Sequence, residues 1–308
     1  MKKHLTKIVR KNKLENKDLY KVVLSQNERN LNLPDSLFNN FISSIKQKDI
    51  FFYPNIKNLR SKLAKYLGVK GYNLLFTPGS DLGIKTLFEC FDLKGKNIIT
   101  SNYCFPMYNV YAELYECKIK KVRYTDKGLN FRWILDKIDE DTQFIILANP
   151  NSPLGDYYTF DQIKTLLDTG IHVIIDEAYI ELTDKKSLVK KIKTYTNLTI
   201  IRTFSKGYGA AGCRVGYIVS DKSNIDIFNK FRFMYELSGM SAKYCEFILD
   251  NIVYFNRYTE KTFLAKNELV ERLNKKGYKI IDTSSSWFFL KYSKEIEGLF
   301  KKNLVSFR

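Results

Sequence analysis

A chain of 308 residues, 44% of them apolar, can bury a large core, with room for one large domain and a smaller one. No apolar run approaches the roughly 20 residues that cross a bilayer, and the charged start has no apolar segment of signal-peptide length, so the expectation is a cytoplasmic protein. The net charge of +18 comes from lysines spread along the whole chain, a distribution that suits an anionic substrate better than nucleic acid.

In chain order, residues 1–25 read as an arm or first helix ending in the apolar run Val22-Val23-Leu24, followed by a polar turn over 25–30. A helix is expected over 37–50, and Tyr53-Pro54 breaks the pattern because a residue before proline resists the helical region. Over 58–67, Leu59, Leu63, Tyr66 and Leu67 share one helix face and Gly68 stops the helix. Residues 73–77 read as a strand, then Pro78-Gly79-Ser80-Asp81 leads into a helix over about 82–91. A glycine turn opening a helix presents unpaired N–H groups at the positive end of the dipole, a seat for phosphate, although a plain capped helix has the same residues.

Strands are expected over 97–100, 118–124, 144–148 and 173–175, with helices over 103–117 and 159–169 between them. The run Phe144-Ile-Ile-Leu-Ala148 is continuously apolar, as in a strand covered on both faces. Asn149 to Gly155 forms a rigid polar turn after it. The strand over 173–175 ends in Asp176-Glu177-Ala178-Tyr179, and a carboxylate there points into the crevice where open α/β sheets bind ligands. His172 has no evident partner and reads as structural. After 220 come a helix over 225–235, a long helix over 242–276, and strands over 278–281 and 286–290. The five cysteines (Cys90, Cys104, Cys117, Cys213, Cys245) lack paired short spacing, which predicts neither a metal site nor a disulfide framework.

The chain is organised around residues 199–220, two apolar runs enclosing Ser205-Lys206, then Gly207, Gly209, Gly212 and Arg214. A lysine between buried strands can be desolvated, which frees its amine as a nucleophile. The Ser205 hydroxyl and the Arg214 guanidinium suit a phosphate. An amine nucleophile beside a phosphate seat is what covalently held pyridoxal phosphate requires, although an ordinary loop with a solvated lysine could carry the same residues.

Taken together, the chain resembles the fold-type I pyridoxal-phosphate aminotransferases, on the histidinol-phosphate aminotransferase branch. The resemblance rests on an ordered set: Asn27-Glu28, Tyr53-Pro54, Leu59-Arg60, Gly79-Ser80-Asp81, Phe105 to Tyr108, Asn149 to Gly155, Asp176 to Tyr179, and Ser205-Lys206 with Arg214. It implies an α/β fold with a mostly parallel central sheet covered by helices. An arm over 1–40, a large cofactor domain over 41–220 and a smaller α+β domain over 221–308 would follow. It further implies that Lys206 holds the cofactor and moves the substrate proton, and that Asp176 pairs with the ring nitrogen. Tyr179 would donate to the ring's phenolic oxygen and Phe105 would stack on the ring. Gly79, Ser80, Asp81, Ser205 and Arg214 would hold the phosphate, and Tyr53 would reach the neighbouring subunit's cofactor in a homodimer.

Two departures bear on function. The family places an asparagine directly before the proline of this turn; here Ser152 stands there with Asn151 beside it, and one of the two is expected to donate to the ring oxygen. The family's later arginine, which grips an α-carboxylate, has no counterpart before the chain stops at Arg308, itself aligned with an earlier family position. The expected acceptor is therefore a small phosphorylated ketone or aldehyde, with glutamate as amino donor in a biosynthetic pathway. Alternatives are a histidinol-phosphate aminotransferase proper, a decarboxylase of a phosphorylated amino acid, and a binding protein without turnover.

Overall fold

The computed structural model describes residue 8 and residues 19–126 and 128–306; Arg308 lies outside them. The first half runs β1 (Val22–Val23), α1 (Asp35–Ser44), α2 (Lys48–Phe51), α3 (Lys57–Leu67), β2 (Leu74–Thr77), α4 (Gly79–Cys90), β3 (Asn97–Ser101), α5 (Met107–Leu114), β4 (Lys118–Val122), β5 (Tyr124–Thr125), β6 (Gly128–Leu129), α6 (Phe131–Leu135) and β7 (Thr142–Ala148). The second half runs α7 (Phe160–Leu167), β8 (His172–Asp176), β9 (Leu198–Thr203), β10 (Gly216–Ser220), α8 (Lys222–Phe228), α9 (Gly239–Asp250), α10 (Ile252–Lys275), β11 (Ile280–Ile281), β12 (Phe289–Leu290), α11 (Lys294–Lys302) and β13 (Val305–Ser306).

Seven strands form the central sheet in the order β2-β10-β9-β8-β7-β3-β4. The five from β9 to β4 are parallel, and β10 runs antiparallel to both its neighbours. Because side chains alternate along a strand, each apolar run serves two cores. Phe76, Ile99, Ile145, Val173, Ile175 and Ile200 pack on one face beneath α3, α7 and α9. Leu75, Ile98, Phe144, Ile146, Ile174 and Ile201 pack on the other against α4, α5 and α8. Burying each such side chain contributes about 1.5–3 kcal/mol, which is why the runs are continuously apolar. The strands β7, β8 and β9 run in one direction, so the loops that follow them gather at a single sheet edge.

Several boundaries differ from the sequence expectation. The helix expected over 242–276 is two, because Asn251 leaves helical geometry and its side chain donates to Phe247 O at 2.9 Å. The helix expected over 37–50 also divides: Ile45 is extended, and the Asp49 carboxylate accepts from Lys46 N at 2.9 Å. Helix α4 begins earlier than expected, at Gly79, whose φ of +80° a side chain would resist. The expected helices over 103–117 and 225–235 shorten to α5 and α8, the latter followed by a 3-10 turn. The strand expected over 118–124 ends at Val122, and that over 278–281 keeps only β11. Only Phe289–Leu290 of 286–290 is a strand; before it, Thr283 Oγ1 donates to Trp287 O and holds a loop. The arm's Val22-Val23 pairs parallel with β13 near the other end of the chain. Among the described residues no helix is long and apolar enough to cross a membrane.

Candidate active site

Strand β8 ends on Asp176, which is buried in the sheet between Ala148 of β7 and Ile201 of β9. Burial pushes its carboxyl up to about 6, against the pull of two donors. These are Tyr108, whose hydroxyl donates to Oδ2 at 2.9 Å, and Ala178 N, which donates to Oδ1 at 3.1 Å. Tyr108 is wholly enclosed, and burial beside this carboxylate raises its own hydroxyl well above the usual range, so its proton stays in place to be donated. The result is a buried acid, oriented on two sides, that can serve a cationic partner.

Strand β9 leads through Thr203, Phe204 and Ser205 to Lys206. The amine Nζ donates to Gln26 O at 2.6 Å and stands 5.4 Å from the centroid of the Tyr179 ring. The turn is held from below. A Cβ on Gly207 would stand 2.4 Å from Glu181 Cβ, and the Glu181 carboxylate is paired with buried Arg202 of β9. Arg202 also faces Glu177, which is enclosed completely and accepts from Leu188 N at 2.7 Å and from the Ser187 hydroxyl. Buried charges persist only when paired in this way.

Arg214 adopts a left-handed conformation, φ +52°, and its Nη1 lies 3.5 Å from Ser205 Oγ. Its guanidinium also touches the first turn of α4: a Cβ on Gly79 would stand 2.5 Å from Nη2. A Cβ on Gly216 would strike Ser80 N at 2.4 Å, so small residues are required on both sides. The first turn of α4, the Ser205 hydroxyl and the Arg214 guanidinium thus lie side by side, and with the amides of Gly79, Ser80 and Asp81 they could hold a phosphate dianion, whose chemistry such donors fit. Tyr111 fixes the Asp81 side chain by donating to Oδ1 at 2.8 Å.

Of the remaining expected residues, Phe105 packs edge-on against Tyr108, centroids 5.9 Å apart, and the Tyr108 hydroxyl in turn reaches Asp176. Asn151 is buried and engaged: its Nδ2 donates to Tyr103 O at 3.0 Å, and its Oδ1 accepts from Leu154 N at 3.1 Å. Ser152, beside it, is only partly buried. Tyr53 does not join the others. It is 76% exposed and stacks on Tyr235 at 4.1 Å. His172 does have a partner, Thr199 Oγ1 at 2.8 Å from Nε2. Residues without an assigned part in the sequence reading are Tyr108, Gln26, the Glu177–Glu181–Arg202 group and Trp287, which meets Tyr179 edge to face at 4.8 Å. Tyr108 and Glu177 lie inside runs that carry the resemblance, while Gln26, Glu181, Arg202 and Trp287 join the site only through contacts between distant segments.

The family model for aminotransferase class I and II matches residues 20–303. The histidinol-phosphate aminotransferase of Pyrococcus furiosus is 30% identical over 291 residues, covering 93% of this chain and 83% of the relative. That of Buchnera aphidicola subsp. Schizaphis graminum is 32% identical over 273 residues, covering 82% and 75%. The crystal structure of histidinol-phosphate aminotransferase from Sinorhizobium meliloti in complex with pyridoxal-5'-phosphate superposes with a TM-score of 0.83 at 20% identity, over 94% of this chain and 82% of that one. With the acid, the amine and the phosphate-type donor set at one sheet edge, the chain belongs to the class I and II aminotransferases, as a pyridoxal-phosphate-dependent aminotransferase of fold type I.

Proposed function

We propose that the enzyme moves an amino group between an amino acid, glutamate by family habit, and a small phosphorylated ketone or aldehyde. It would do so in a cytoplasmic biosynthetic pathway, as a homodimer with shared active sites. The observation that carries this reading is that Asp176 ends β8, while Ser205, Lys206 and, paired with Ser205, Arg214 follow the neighbouring strand β9. The phosphorylated substrate rests on the names of the relatives at 30–32% identity.

In this reading bound pyridoxal phosphate supplies an electron sink for the pair left when the substrate carbon loses its proton. Lys206 is the attachment point, and its free amine is the base and then the acid at that carbon. Asp176 holds the ring nitrogen's proton, and the two donors on its carboxylate keep it aimed. Tyr179, with Ser152 in the place of the family asparagine, donates to the ring oxygen, and Asn151 holds the loop behind. Ser205, Arg214 and the amides of Gly79, Ser80 and Asp81 bind the phosphate, and Phe105 lies against the ring. Tyr53, exposed beside the equally apolar Phe51, Phe52 and Met234, reaches the site of the second subunit.

The test begins with the wild type and pyridoxal phosphate. A yellow chromophore that borohydride bleaches and fixes to the Lys206 peptide is expected, and label on another residue overturns the assignment. Phosphorylated amines are expected to convert the chromophore to its aminated, colourless form. Turnover confined to unphosphorylated amino acids would sink the substrate class. For the shared site, mixing Lys206→Ala with Tyr53→Ala chains is expected to restore activity that neither has alone.

A further inference from the structure

A loop between β11 and β12 is stapled onto the turn that follows β7. Lys266 of α10 is 6% exposed, and its ammonium donates to Asp282 Oδ1 at 2.7 Å and Thr283 O at 3.0 Å. Thr283 packs on Gly155, where a Cβ would stand 2.3 Å from the threonine's own, and Ser284 N donates to Gly155 O at 3.0 Å. Trp287 then touches both the turn after β7 and the loop after β8. Its Nε1–H donates to Pro153 O at 2.8 Å, on the turn after β7. Its ring meets Tyr179, on the loop after β8, with centroids 4.8 Å apart and 69° between planes. Lys206 Nζ lies 5.4 Å from that same Tyr179 ring. The indole therefore stands one aromatic ring away from the Lys206 amine and bridges the loops that follow β7 and β8.

An indole offers a single donor, and here it is already used on Pro153. What remains is shape: a rigid wall that a substrate can touch but not pass. We propose that Trp287 is a specificity-determining residue that limits how far a substrate extends beyond its reacting carbon, so that the site selects compact phosphorylated amines over longer ones. The inference rests on the reading of Lys206 as the attachment point. Trp287 takes no part in the proton transfers; it sets which bodies fit.

Holoenzyme is tested with straight-chain primary amines phosphorylated at the far end, from about two to about six carbons. The readout is the efficiency with which each converts the yellow chromophore to its colourless form. A methylene that a pocket cannot house costs about tenfold or more in efficiency, so the wild type is expected to fall steeply along the series. Trp287→Ala is expected to raise the long-to-short ratio by at least about tenfold, and Trp287→Phe to fall between. A ratio unchanged in Trp287→Ala that still binds cofactor overturns the proposal.

A second measurement does not depend on turnover. The chain has two tryptophans, so in Trp133→Phe the emission of Trp287 is read alone. Titrating pyridoxal phosphate into this variant is expected to quench that emission, and unchanged emission overturns the placement of the indole at the site. A wild type that forms no chromophore overturns the reading of Lys206 together with this inference, whereas a chromophore with an unchanged ratio overturns the inference alone.

Discussion

Tyr108→Phe removes one hydroxyl and leaves the ring in its place. That hydroxyl is fully enclosed and donates to Asp176 Oδ2 at 2.9 Å. The bond favours the ionised carboxylate, while burial pushes the carboxyl from its ordinary 3.8 up to about 6. A carboxyl raised on folding prefers its proton, so in the cofactor-free protein it costs stability as pH climbs past 3.8, and the full cost is reached above about 6. Below that value the acid is neutral, and losing the bond costs about 1 kcal/mol. Above it a charged acceptor loses a buried donor, at about 1.5–3 kcal/mol. Urea denaturation of the cofactor-free wild type and variant at about pH 5 and about pH 7.5 compares the two regimes. The variant is expected to lose about 1 kcal/mol at the lower pH and about 1.5–3 kcal/mol at the higher. Equal losses, or a larger loss in acid, would refute Tyr108 as the donor that sustains the carboxylate.

Gly79→Ala places a Cβ 2.5 Å from Arg214 Nη2 at a φ of +80°, and titration is expected to show pyridoxal phosphate binding weakened by about tenfold or more, or 1.4 kcal/mol. Arg202→Met leaves Glu181 and Glu177 without their buried cation, and a loss of about 3–5 kcal/mol in chemical denaturation is expected, partly recovered when Glu181→Gln is added. His172 is pushed down to about 4 by burial, below its ordinary 6.5, so the stability it lends is whole above 6.5 and drains as pH falls through 4. His172→Gln is therefore expected to flatten the acid limb of the stability profile by about 2–3 kcal/mol, and an unaltered limb would show that this histidine does not supply it.

The chemistry was legible where it is written locally. Lys206 follows one buried run and Asp176 ends another, so both were expected at strand ends, and β9 and β8 carry them there. Gly79 announced a helix start with free amides, though not that α4 begins on the glycine itself. The paired runs around residues 199–220 became β9 and β10, in antiparallel register from Gly216↔Thr203 to Ser220↔Thr199. Helix breaks at Asn251 and Ile45 were missed because each turns on one side chain or one backbone torsion inside an otherwise regular apolar pattern.

By itself the amino-acid sequence determined which runs are buried on both faces, which loops leave them, and that Lys206, Asp176 and the stretch from Ser205 to Arg214 lie at or just beyond strand ends. Apolar periodicity and glycine placement act over a few residues, and they survive in one dimension. The partners came only with the folded chain: Tyr108 on Asp176 across 68 positions, the Gln26 carbonyl on Lys206 across 180, and Trp287 on Pro153 across 134. A single hydrogen bond between distant segments leaves no periodic trace, because either group could have met water or another partner until packing of the elements settled where each would lie.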